Sequence, residues 1–375
     1  MNILVDGRAL VRNSAGVSYF LKNALEEWAK QCPQNTFYIY TPGNMAETLN
    51  DGRLDFNNVR FLKPRHQFTM RVPNIIYLQM DIPYFCKKYA IEIYYAPVPH
   101  IPYGIPKNVK TIVTIHDVVN IEMASTMSWT NRLATKLFFN KAVNSADLIW
   151  ANSDYTRQMV EKYYPHRRSQ DVFVGGAADT KYYHKLELNA HEIEEIKSKY
   201  GIKDKFILFV GSLEPRKNLP FLLNLMPQLY RDRGVQLVVV GANKWKSSSI
   251  FNIINSASYP KESTIFTKYI SDTELAQLYN IADLFVSTSF TEGLGLPQIE
   301  ALMCGCPIVT SHNSAMIEVT QGKDGATTVP GYAVSVWTSV ISAMLDNTPN
   351  VNVSQMQQYC WSNVISNLKQ RTALI

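Results

Sequence analysis

The sequence predicts an α/β protein made of two Rossmann-like domains with parallel sheets, and three observations carry that expectation. Strand-length apolar runs alternate with helix-length amphipathic segments along the chain, the pattern of folds that bury a parallel sheet between helices. The pattern restarts after a polar stretch near the middle. The chain has 375 residues, 46% hydrophobic and 18% charged, which is globular composition and too long for one ordinary core.

Taken in order, Ile3-Leu4-Val5 reads as a buried first strand and leads into a helical stretch from Val17 to Ala29. Thr36 to Tyr40, Glu92 to Tyr95, Thr111 to Ile115 and Asp147 to Ala151 read as further strands, the third ending at His116-Asp117 and the last followed by Asn152-Ser153 and a helix. A Lys/Glu-rich segment from Lys181 to Lys205 reads as a linker with a helix. A second series follows: Phe206 to Val210 closed by Gly211-Ser212, Gln236 to Gly241, Asp283 to Ser287, and Pro307 to Thr310. These strands end repeatedly in Gly, Ser or Asp, so small polar loops line a sheet's carboxyl edge, where open α/β folds bind ligands. The expected domains are 1–180, on the acceptor side, and 181–355, for the nucleotide, with 356–375 as a C-terminal helix that packs back on the first domain.

The net charge of +6 is uneven. Residues 1–180 carry 20 Lys+Arg against 15 Asp+Glu, and residues 181–375 carry 17 against 16. The excess in the first half suits an anionic surface or substrate, although a mildly basic solvated face explains it equally. Arg65, Arg71, Lys87 and Lys88 lie among Phe68, Met70, Val72, Ile75, Ile76 and Tyr77, a mixture that either lies on an anionic leaflet or packs as an ordinary helix. No apolar run reaches membrane-spanning length and the first residues lack a signal-peptide pattern, so a cytoplasmic protein is expected, peripheral on the inner face of the plasma membrane if the basic stretch is used. The five cysteines have no metal-ligand spacing and read as reduced core thiols.

Two motifs carry chemistry. In Glu292-Gly293-Leu294-Gly295-Leu296-Pro297-Gln298-Ile299-Glu300, two carboxylates stand eight positions apart across a glycine turn. The glycines allow close backbone approach, Leu296-Pro297 opens a helix, and its exposed amides suit a phosphate. Glu300, one turn in, is better placed to accept hydrogen bonds from sugar hydroxyls. In Gly211-Ser212-Leu213-Glu214-Pro215-Arg216-Lys217-Asn218, adjacent cations precede a helix, against the macrodipole preference. A diphosphate between them and the amides satisfies both. The plainer alternatives are a charged loop with a surface helix for the first motif and two solvated cations for the second.

In order and spacing these motifs resemble the retaining glycosyltransferases of family 4, which have the GT-B fold, two Rossmann-like domains facing across a central cleft. Asp6-Gly7-Arg8 with Gly16-Val17-Ser18-Tyr19 resembles that family's first loop, with Ser18 where a second glycine is frequent. Thr114-Ile115-His116-Asp117 resembles its strand-end histidine, and Cys304-Gly305-Cys306-Pro307-Ile308-Val309 its turn after the glutamate helix. The resemblance implies catalytic roles for His116, Glu292, Arg216 and Lys217. Arg216 and Lys217 would hold the donor diphosphate and stabilise it as it leaves. Glu292 and the backbone of Gly293, Leu294, Gly295 and Leu296 would hold the transferred sugar, Glu300 the ribose, Tyr269 and Ile270 the base, and Gly16 and Gly211 the approach to the donor. His116 would reach the sugar ring, or else be a satisfied core histidine. The family's members generally need no metal, and this chain has no Asp-x-Asp motif, so neither metal nor cofactor is expected.

The implied function is transfer of a hexose, with mannose from GDP-mannose the first choice, to a glycan or lipid-linked saccharide in surface polysaccharide synthesis. Nucleic acid is not an expected partner. A GT-B sugar-nucleotide epimerase and a catalytically silent sugar-nucleotide binder are the alternatives. A dinucleotide oxidoreductase fails for want of a G-x-G-x-x-G turn after any strand.

Overall fold

The computed structural model of the chain describes residues 1–11, 15–41, 52–65, 74–118, 138–241 and 248–373. Two compact units emerge: Met1–Ala177 together with Trp361–Ile375, and Ala178–Cys360.

The first unit holds a seven-stranded sheet in the order β3-β2-β1-β4-β5-β6-β7. Its strands are β1 (Asn2–Asp6), β2 (Thr36–Tyr40), β3 (Val59–Leu62), β4 (Ile93–Ala96), β5 (Lys110–Ile115), β6 (Leu148–Ala151) and β7 (Val172–Val174). Every pairing is parallel. Alternate side chains feed opposite faces, as a pleated strand requires. Ile3 and Val5 join one core with Phe20, Leu25 and Trp28, whereas Leu4 joins the other with Leu78, Ile82 and Phe85. The first set comes from the helix Ala15–Gln31 and the second from the helix Asn74–Lys88. The helix Trp361–Thr372 completes the first core through Trp361, Val364, Ile365 and Leu368, where the edge of the Trp361 ring meets Phe20 at 4.9 Å.

The second unit holds a six-stranded parallel sheet in the order β10-β9-β8-β11-β12-β13. Its strands are β8 (Phe206–Val210), β9 (Gln236–Val240), β10 (Thr264–Lys268), β11 (Leu284–Ser287), β12 (Ile308–Ser311) and β13 (Ala326–Val329). The helix Leu219–Arg233 packs Leu222, Leu223, Met226 and Leu229 on Ile207, Leu237, Val239 and Val286. The expected Lys/Glu-rich helix runs Ala190–Tyr200, opened by an Asn189/Glu192 capping box and closed by left-handed Gly201.

Both sheets reverse their strand order beside the first strand, between β1 and β4 and between β8 and β11. At such a switch point the flanking connections leave in opposite directions and open a crevice at the carboxyl edge. Among the described residues, no helix is long and apolar enough to cross a membrane.

Candidate functional site

In the second unit the loops that leave β8 and β11 meet at this crevice. The β8 loop turns through Gly211, where a side chain would crowd the Lys217 stem at 3.3 Å. Pro215–Lys217 forms one 3-10 turn, and Asn218, left-handed at φ 50°, starts the helix Leu219–Arg233. Arg216 and Lys217 therefore stand just before that helix rather than in its first turn. The β11 loop carries Glu292, whose side chain is 8% exposed.

Glu292 is the anion the two cations share. Lys217 Nζ lies 2.6 Å from Oε1 and Arg216 Nη1 2.8 Å from Oε2. Arg216 also donates to the Thr291 carbonyl at 2.6 Å and to Glu214 at 2.8 Å. Burial opposes the charge on Glu292, but Lys217 and Arg216 more than offset it and hold its carboxyl at about 2. Two cations and two carboxylates leave the cluster near neutral, so any anion that binds there must take over contacts that Glu292 and Glu214 now hold.

The loop is tied on every side. Glu292 N donates to Ser314 Oγ at 2.9 Å. The Ser289 carbonyl accepts from Ser311 Oγ at 2.6 Å, Tyr332 OH at 3.0 Å and Asn313 Nδ2 at 3.3 Å. Phe290 N donates to the Arg216 carbonyl at 2.8 Å. Four described non-glycine residues have positive φ, and three of them lie in the second unit, Lys268 at the end of β10 and Asn218 and Ser314 where a helix begins. Each such residue costs about 1–3 kcal/mol, and such strain concentrates at functional sites.

Beyond Glu292 the chain passes Gly293 and the buried Leu294 to Gly295, left-handed at φ 80°, which precedes the helix Leu296–Met303. Glu300 on that helix is buried and accepts from Tyr279 OH at 3.1 Å. Burial raises its carboxyl to about 8, with Asp272 and Asp179 adding to the rise and Tyr279 and Lys217 opposing it. At neutral pH in the free protein it is mostly protonated and so can donate as well as accept. Tyr269 follows the left-handed Lys268 at the end of β10 and is 81% exposed, and Ile270 is partly buried beside it.

Other residues singled out in the sequence lie in the first unit. His116 directly follows β5, partly buried, with Nε2 at 3.0 Å from the Pro97 carbonyl and its ring edge-to-face with Phe20 at 4.8 Å. That contact makes Nε2 the protonated nitrogen and leaves Nδ1 as an acceptor. Burial lowers its pKa, which keeps the ring neutral. Gly16 is exposed near the start of the helix Ala15–Gln31 with open space about it. Gly7 has a steric reason, since a side chain would meet Ile39 at 2.6 Å and the Tyr40 carbonyl at 2.8 Å. In the basic stretch, Phe68, Met70, Arg71 and Val72 lie outside the described residues. Ile76, Met80 and Tyr84 are 44%, 46% and 38% exposed at successive i, i+4 positions of one helix, with Arg65 stacked 3.6 Å over the Tyr84 ring.

Sequence reasoning missed Ser314, Tyr279, Glu214 and Phe290. Ser314 had a signal, since Ser311-His312-Asn313-Ser314 is a polar turn at a strand end. Among the described residues, no group of three or more His, Cys, Asp or Glu is arranged to hold a metal ion.

Residues 192–358 match the family described as Glycosyl transferases group 1. The serotype-specific mannosyltransferase WbdA of Escherichia coli is 26% identical over 67% of this chain, which spans 30% of that protein's length. The O-antigen chain mannosyltransferase B of Escherichia coli is 25% identical over 74% of this chain and 73% of its own length. Among solved structures, Anabaena Alr3699/HepE in complex with UDP-glucose superposes with a TM-score of 0.69 at 19% identity, over 99% of this chain and 94% of that one. WaaG, a glycosyltransferase involved in lipopolysaccharide biosynthesis, gives 0.65 at 14% identity, over 99% and 95%. The two parallel sheets and the superpositions over nearly the whole chain show a two-domain Rossmann-like GT-B fold, and the second sheet lies within the stretch that matches the Glycosyl transferases group 1 family.

Proposed function

We propose that the chain transfers a hexose from a nucleotide sugar to a glycan or lipid-linked saccharide, with retention of anomeric configuration as in family 4. The observation that carries this reading is the buried Glu292 with Arg216 and Lys217 at 2.8 and 2.6 Å, at the switch point of the second sheet. A nucleotide diphosphate gains negative charge as the glycosidic bond breaks. Two cations held in place by hydrogen bonds in a partly buried crevice stabilise that charge with little reorganisation, which is often the largest catalytic effect. Glu300, with Tyr279 behind it, meets the ribose hydroxyls. Mannose from GDP-mannose is the first donor to test, because two curated relatives are named mannosyltransferases. UDP-sugars come next, since a structural neighbour is named with UDP-glucose. The same relatives support a role in surface polysaccharide synthesis.

A lipid-linked acceptor would place the first unit at an anionic leaflet. The supporting observation is the exposed Ile76, Met80 and Tyr84 stripe beside Arg65, Lys87 and Lys88. The deciding experiment is a thermal-shift panel of nucleotide sugars. A ligand that binds only the folded state must raise the melting temperature, and slow donor hydrolysis without acceptor separates a transferase from a silent binder. Failure of every nucleotide sugar to raise it would end the reading.

A further inference from the structure

The loop between β11 and Glu292 holds an aromatic ring in a place that packing alone does not explain. Phe290 is 52% exposed, yet its backbone is tied by hydrogen bonds on both sides. The carbonyl before it takes three hydrogen bonds and its own N–H is bonded to Arg216, whose guanidinium pairs with Glu292 two residues on. One edge of the ring rests on Tyr332 at 5.2 Å and 74°. Tyr332 is itself stacked on the buried Trp337 at 5° between planes and abuts Phe221 at 5.3 Å. The ring is thus buttressed from behind while part of it is left to water.

A lone exposed aromatic needs no explanation on an ordinary surface. Here its backbone is hydrogen-bonded, its ring is backed by Tyr332, and it lies two residues from the charged node. An aromatic face is apolar and carries partial negative charge, which suits the C–H face of a pyranose with its slightly positive hydrogens. A platform that does not move on binding costs little entropy. We infer that Phe290 is a stacking platform for a pyranose ring, either the transferred sugar of the donor or the first sugar of the acceptor. The inference rests on the transferase reading and adds to it the residue that grips the sugar by its apolar face.

The test compares the full chain with Phe290→Ala, Phe290→Leu and Phe290→Trp. Affinities for GDP and GDP-mannose are measured by calorimetry, and KM is measured for methyl α-mannoside as acceptor probe. Ala and Leu should weaken one sugar-dependent quantity about tenfold, with Trp near wild type and GDP affinity unchanged in all. A loss in GDP-mannose affinity assigns the platform to the transferred sugar, and a rise in KM for the mannoside assigns it to the acceptor. Leu keeps apolar bulk against Tyr332, so equal loss in Leu and Ala separates the aromatic face from loop support. The inference is overturned if neither quantity moves, or if GDP affinity falls as far as GDP-mannose affinity. Wild-type protein that binds no GDP-mannose and uses no mannoside defeats the mannosyl reading first, and the same variants are then measured with UDP and UDP-glucose.

Discussion

Replacing Lys217 with Met tests the coupling at the centre of the site. Lys217 Nζ is 2.6 Å from a carboxylate that is 8% exposed, and the lysine side chain is itself 11% exposed. In the folded protein the Glu292 carboxyl sits at about 2 against an ordinary 4.5. That difference is worth about 3 kcal/mol at neutral pH, at 1.36 kcal/mol per unit. Met fills the volume but leaves a buried carboxylate held by Arg216 alone, so Lys217→Met should cost the second unit about 3 kcal/mol. Glu292→Gln removes the charge that needs holding, so the double variant should recover about 2 kcal/mol relative to the sum of the single changes. The assay is a double-mutant cycle by urea unfolding of the full chain, followed by a probe on the second unit. The coupling has a pH signature. A depressed carboxylate contributes stability above its unfolded value, and that contribution is lost as pH falls from about 4.5 toward about 2. Costs that simply add at pH 7, or a coupling unchanged at pH 3, would refute the reasoning.

Glu300 shows the opposite sign: its folded value is raised to about 8, so the stability it supplies is full below about 4.5 and is lost as pH rises through 8. Glu300→Gln should flatten the fall in melting temperature between pH 6 and 9, and should weaken GDP and GDP-mannose equally, whereas Glu292→Gln should spare GDP; equal loss of GDP affinity in both variants contradicts the assigned roles. Arg216→Ala should lower turnover about 10- to 100-fold by removing a charge-assisted bond to the leaving diphosphate, and unchanged turnover removes it from the mechanism. Excess chelator should leave most activity, since in the proposed transferase Arg216 and Lys217 would supply positive charge at the diphosphate; abolition by chelator with rescue by magnesium or manganese sinks that expectation. Anionic vesicles should co-sediment the protein at low salt and release it as salt rises, and Lys87→Glu with Lys88→Glu should weaken the binding without altering nucleotide affinity; a protein left wholly in the supernatant points to a soluble acceptor.

The strands legible in the sequence are the central ones. Ile3 to Val5, Thr36 to Tyr40, Phe206 to Val210 and Gln236 to Val240 are apolar runs because they are covered on both faces. The strands that escaped are β3, β7, β10 and β13, and each is a sheet edge. In β3, Arg60 and Phe61 face solvent between buried ends, and in β10 no residue is fully buried, so neither carries the continuous apolar signal. At the site, Arg216, Lys217, Glu292 and Glu300 were visible as residues at a spacing. That the carboxylate would sit between the two cations was not visible, because loops of two different strands bring them together across 75 positions. Nor could the opposed titration of the two glutamates be read from the motif, since it depends on which buried carboxylate is directly ion-paired and which is hydrogen-bonded to a tyrosine hydroxyl.

The helix Trp361–Thr372 has a consequence for how the molecule is made. It follows the second unit in the chain, yet its Trp361, Val364, Ile365 and Leu368 finish the core of the first. During synthesis, where earlier domains ordinarily fold first, the first sheet must wait with the rings of Phe20 and Trp150 uncovered until the whole second unit has left the ribosome. The second unit is continuous from Ala178 to Cys360 and waits for nothing. The N-terminal half is therefore the last to be completed, and a nascent chain stalled before Trp361 would carry a finished second unit tethered to a first unit still open to chaperones.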